Sequence, residues 1–86
     1  MTASIRDNAG IEAVVHDTID TRDIAPRDVL FLFGDLVVVT SVYHRSDGTI
    51  EIDADNVDRS QYRRCFSTVA GRRLERYGVL VKQGAA

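Results

Sequence analysis

The apolar residues of this 86-residue chain fall into runs whose spacing changes from segment to segment. Ile11, Val14, Val15, Thr18 and Ile19 recur at helical spacing, which suggests a short helix over 11–19. Val14, Val15, Thr18 and Ile19 are β-branched, so a strand is the rival for the same stretch. Asp20 to Asp28 is a polar connector that holds the only proline, Pro26, and reads as a turn feeding a strand. Two β-rich runs follow, 29–33 and 36–45, separated by Gly34-Asp35, a two-residue hairpin signature. A second hairpin is expected at Ser46-Asp47-Gly48, where a three-residue loop pairs Val42 with Ile52 and His44 with Ile50, and strand 49–54 follows.

In that register, with Phe33 opposite Leu36 in the first hairpin, one face of this meander carries Val29, Phe31, Phe33, Leu36, Val38, Val42, Ile50 and Ile52. The other carries Leu30, Leu32, Val37 and Val39 at one end, and Tyr43, Arg45, Glu51 and Asp53 at the other. Strands apolar on both faces are normally covered twice. The apolar patch Leu30, Leu32, Val37 and Val39 therefore calls for a cover, either the segment 11–19 or a second copy of the chain in a homodimer.

Further along, Asp58 and Gln61 stand three apart like a capping box, and Tyr62, Cys65, Phe66 and Val69 follow an i, i+3, i+4, i+7 pattern. The spacing predicts a C-terminal helix over 58–70 ended by Gly71. Residues 72–77 fit helix or strand. A closing strand is expected at 79–82. The fold expected is α+β: a three-stranded antiparallel meander, a helix and a closing strand in a single domain over 11–83, with mobile ends at 1–10 and 84–86. The alternative is a small SH3-like β-barrel with 61–69 as a further strand. The stretch from Pro26 to Ile52 is similar to such barrels, in which a Pro/Asp turn precedes a β-meander. It covers under half the chain and transfers no functional residue.

Charge sharpens the picture. The net charge of −2 conceals a split. Residues 1–58 hold twelve of the thirteen acids against Arg6, Arg22, Arg27 and Arg45, whereas residues 59–86 hold Glu75 against six arginines and Lys82. Arginine outnumbers lysine ten to one, as a GC-rich bacterial or phage genome would also produce. No run approaches the ~20 apolar residues of a membrane helix. No signal-peptide core stands at the start, and one cysteine forms no internal disulfide. A cytoplasmic protein without membrane attachment is expected.

Candidate chemistry is sparse. The segment Arg59–Tyr77 interleaves arginines with aromatics, as nucleic-acid-binding stretches do. The predicted helix, however, assigns Tyr62 and Phe66 to the core. The acidic run Asp53-Ala-Asp55-Asn56-Val57-Asp58 lacks the glycine and glutamate of a calcium loop. Cys65 falls on the apolar stripe of the predicted helix, away from a thiol–imidazole pair with His16 or His44. No catalytic residue, metal site or cofactor is expected. The leading expectation is a small, non-catalytic module for protein–protein contact. Its candidate contact residues are Arg63, Arg64, Arg72, Arg73 and Arg76, or the acidic pair Glu51 and Asp53. The alternative is a nucleic-acid-binding regulator that uses the arginine segment 59–76.

Overall fold

A computed structural model describes residues 4–80. These residues form seven strands: β1 Ser4–Arg6, β2 Glu12–Asp20, β3 Val29–Leu32, β4 Asp35–His44, β5 Thr49–Asn56, β6 Arg64–Val69 and β7 Arg73–Val79. A single 3-10 turn, Thr21–Asp23, follows β2. Strands β1-β2-β7 make one antiparallel sheet and β3-β4-β5-β6 a second, and one of the two is a half-barrel.

Among the described residues there is no α-helix, which overturns the α+β expectation. The stretch 58–70, expected to be helical, is a loop followed by β6. Residues 64–69 alternate half-buried and exposed, a period of two. A spacing of four, as from Tyr62 to Phe66, keeps two residues on one side in strand and helix alike. The deciding interaction is non-local: β6 pairs with β5 from Thr49–Val69 to Ala54–Arg64 and supplies that strand's second row of hydrogen-bond partners. Of the stretch 11–19 all but Ile11 lies in β2, and of 72–77 all but Arg72 lies in β7. The closing strand comes earlier than 79–82, and everything after Leu80, including the expected tail 84–86, lies outside the described residues. Residues 4–10, expected to be a mobile end, form β1 and a turn tied into the fold.

The second hairpin follows its sequence. Arg45 N–H donates to Thr49 O at 2.8 Å across the Ser46–Gly48 loop, Gly48 has φ +90°, and Val42 pairs with Ile52 and His44 with Ile50. The first hairpin turns one residue earlier than expected. Leu32 pairs with Asp35, and the turn residues are Phe33 and Gly34, both left-handed at φ +54° and +83°. This is the geometry of a type I′ turn.

A bulge at Thr40 reorganises the core. Val39 pairs with Ala54 and Ser41 with Asp53, leaving Thr40 as the extra residue. Its hydroxyl donates to Asp53 O at 3.0 Å. The insertion resets the alternation, so Val37 and Val39 point to the same side as Val42, Ile50 and Ile52. Leu30, Val37, Val39, Ile50, Ile52 and Ala54 then close one core with Ile24, and each Leu, Ile or Val so buried stabilises by roughly 1.5–3 kcal/mol. Of the patch expected as a dimer face, Leu30, Val37 and Val39 are therefore interior, and Leu32 is half-buried against them. Ile19 of β2 and Leu74 of β7 pack against this core.

Polar ties join the two sheets. Asp7 is buried and its carboxylate accepts three backbone N–H groups: Ala9 at 2.9 Å, Ile11 at 2.8 Å and Leu36 at 3.0 Å. Fully buried Thr21 donates its hydroxyl to Val69 O at 2.6 Å, and its backbone N–H donates to Arg72 O at 2.8 Å. No helix among the described residues is long and apolar enough to cross a membrane.

Candidate functional site

Folding pairs the two charge halves of the sequence. Arg76 on β7 grips Asp17 on β2 through Nε at 2.6 Å and through Nη2, and reaches Asp28, ahead of β3, at 3.3 Å. Its hydrogen bonds hold the Asp17 carboxyl below the ordinary carboxylate range, and Asp17 in turn raises the guanidinium. Arg64 Nη1 donates to Asp35 Oδ2 and Asn56 Oδ1, both at 2.8 Å. Arg76 and Arg64 thus serve the fold. Arg63, Arg72 and Arg73 from the expected contact set, together with Arg59, are exposed and pair with no carboxylate among the described residues. Arg73 donates to Thr18 Oγ1 at 3.0 Å.

These four arginines bracket β6. Arg59 and Arg63 lie in the loop before it, and Arg72 and Arg73 follow it. The six residues of β6 span roughly 17–20 Å. The preceding loop is internally braced. Arg59 N–H donates to Asn56 O and Asn56 N–H to Gln61 O, both at 2.9 Å, while Asp58 Oδ1 accepts Ser60 N–H at 3.0 Å. Arg63 N–H donates to Asp55 Oδ1 at 2.9 Å. Arg59 and Arg63 both have left-handed backbones, at φ +65° and +57°.

Between the basic groups stands an aromatic pair. Phe33, at the tip of the β3–β4 hairpin, is 81% exposed, and its ring stacks on Phe66 of β6 at 5.7 Å and 17°. The Arg64 guanidinium lies 5.1 Å from the Phe66 ring centre. The tip is held from the other side as well. Asn8 N–H donates to Gly34 O at 2.8 Å, and Asn8 Nδ2 donates to Asp35 Oδ1 at 3.2 Å. Tyr62, expected in a core, is 59% exposed. Sequence reasoning missed Phe33 because it placed the turn at Gly34-Asp35. The available signal was a bulky residue directly before a glycine that needs a positive φ.

The acidic candidates occupy a different face. Glu51 pairs with Tyr43 and Ser67, and Asp53 with Ser41 and Cys65. Glu51 is bound by Arg45, and Ser41 Oγ donates to Asp53 Oδ2 at 3.1 Å. Cys65, expected on a buried stripe, is exposed on this face, 3.8 Å from Glu51 Oε2. Partial desolvation and the charges of Asp53 and Glu51 push its thiol up, the opposite of what a thiolate nucleophile needs. His16 and His44 are both exposed, His16 at a bulge in β2.

Three shallow clefts of about 270–290 Å³ stand just below the ~300–1,000 Å³ usual for small-molecule pockets. Two of them lie along the seam between β3 and β7, where Phe31 and Tyr77 meet at 6.2 Å. Among the described residues no group of three or more His, Cys, Asp or Glu side chains is placed to hold a metal ion. No protein family, curated protein or solved structure matches the chain.

Proposed function

We propose that this protein binds nucleic acid through the surface formed by β6 and the loops on either side of it. The observation that carries the reading is the separation of its arginines by role. Arg64 and Arg76 are neutralised inside the fold, whereas Arg59, Arg63, Arg72 and Arg73 flank a terminal strand without carboxylate partners among the described residues. Guanidinium groups suit phosphate, and their release of counterions drives association. Glu51 and Asp53 lie on the other face of the same sheet from Phe66, and the carboxylates nearest the arginines, Asp55, Asp58 and Asp35, are engaged by Arg63 N–H, Ser60 N–H and Arg64. Tyr62 is exposed because the helix that would have placed it in a core is absent, whereas Phe66 is half-buried, packs against the core and carries Phe33 on its outer side.

The test is a filter-binding titration against mixed-sequence oligonucleotides at low salt. Affinity should fall steeply with added salt, and the triple variant Arg63→Glu, Arg72→Glu, Arg73→Glu should abolish binding across all sequences. No retention at about 50 mM salt would refute the reading. A pulldown from the native host with and without nuclease covers the rival class: partners that survive nuclease and depend on the same arginines would point to an acidic protein instead.

A further inference from the structure

The arginines explain attraction to phosphate but leave the Phe33–Phe66 pair without a role. Resting on the nucleic-acid reading above, we propose that this pair is a stacking platform for an unpaired base, and that the ligand is therefore a single strand.

Phe33 exposes 81% of its surface and adopts φ +54°, a backbone region in which a bulky side chain is an outlier. Asparagine or glycine would fill the same turn position with less strain. The rest of the molecule holds this unfavourable arrangement in place. Gly34 completes the turn, Asn8 and Asp7 grip residues 34–36, and the Arg64–Asp35 ion pair ties the hairpin to β6. The ring lies nearly parallel to Phe66, which Arg64 contacts in turn. A flat apolar surface held at a set tilt suits a second flat ring, and every base offers one. Strained residues cluster where function requires them. Among the described residues, three of the four non-glycine residues with positive φ are Phe33, Arg59 and Arg63, all belonging to this surface.

The bases of a duplex already stack on both faces. A platform gains from them only after prising a step open, at a cost of a few kcal/mol. In a single strand the faces are available. In chain order Arg59 and Arg63 precede β6, Phe66 lies within it, and Arg72 and Arg73 follow it, and the strand between them spans roughly 20 Å. That arrangement fits a few nucleotides, with phosphates engaged on both sides of one stacked base.

The experiment is fluorescence anisotropy with a labelled 12-nucleotide oligo-dT and a mixed-sequence duplex of the same length. The wild-type protein should bind the single strand at least ten-fold more tightly, with a salt slope of about −2 to −3 for three or four phosphates. Phe33→Ala should weaken that binding about ten- to a hundred-fold and leave the salt slope unchanged. Arg72→Glu with Arg73→Glu should flatten the slope. Phe33 is exposed, so its variants should fold, which circular dichroism melts can verify. The chain has no tryptophan, so Phe33→Trp should retain binding and provide a single tryptophan whose emission the bases quench. Equal or tighter binding of the duplex, or an unaffected Phe33→Ala, overturns this inference and leaves the broader reading standing. Failure of both oligonucleotides to bind at about 50 mM salt removes both.

Discussion

Replacing Asp7 with alanine removes one carboxylate and strips three backbone N–H groups of their acceptor. Leu36 is fully buried, and its N–H donates to Asp7 Oδ2 at 3.0 Å. Water cannot readily take over that bond, and an orphaned buried donor costs about 1–3 kcal/mol. Ala9 is exposed and Ile11 half-buried, so water compensates in part and each lost bond should cost about 0.5–1 kcal/mol. The total, about 3 kcal/mol, is a large part of the roughly 4–13 kcal/mol expected for a domain of this length. In a domain this small it corresponds to a melting point lower by roughly 12–24 °C. Asp7→Asn keeps one acceptor oxygen but turns an NH2 group toward a donor, so it should fall between the wild type and Asp7→Ala. Differential scanning calorimetry, paired with a urea titration to confirm two-state unfolding, makes the measurement. A loss of under about 3 °C for Asp7→Ala would refute the reasoning, because it would mean that Leu36 N–H finds another acceptor or that the β1–β2 turn contributes little to the fold.

Three further outcomes are expected. Gly34→Ala forces an L-residue into φ +83° with a Cβ 2.6 Å from Asn8 Nδ2; it should lower stability by about 2 kcal/mol, read by chemical denaturation, and weaken any binding through Phe33. Asp17 titrates below its ordinary 3.8 because Arg76 hydrogen-bonds it, so its contribution is complete above that value and is lost as pH falls through the depressed folded value. The melting point should drop below about pH 4, less steeply in Arg76→Gln, and identical acid limbs would contradict this. The exposed Cys65 thiol should react slowly with iodoacetamide near neutral pH, and Asp53→Asn should speed the reaction by removing one of the charges that raise its pKa.

The turn chemistry of the centre of the chain was readable from sequence, since it depends on single residues and their neighbours. Gly48 fixed the second hairpin loop and with it the pairing of Val42 with Ile52. The first hairpin was located but displaced by one residue. A rule that assigns the positive φ to glycine as the first turn residue does not anticipate Phe33 sharing it. The core membership of Leu30, Val37 and Val39 was lost for a related reason. A bulge at Thr40 leaves no sign in an apolar pattern, yet it reverses the face of every residue before it. The site was half legible: its arginines stood out, whereas its aromatic centre and the division of the arginines between structural and free did not.

By itself, the sequence determined where apolar strands run between 29 and 54, which glycines turn the chain, and that an arginine-rich stretch follows an acidic one. These are properties of short windows, governed by local backbone sterics and side-chain period. Tertiary structure alone decided that 64–69 is a strand, that Arg64 reaches Asp35 across 29 positions of sequence, and that Arg76 reaches Asp17 across 59. Hydrogen bonds to the edge of β5 and charge pairing between distant strands outweighed the local helical spacing, because a backbone edge or a half-buried ion left without a partner costs more than helix propensity returns.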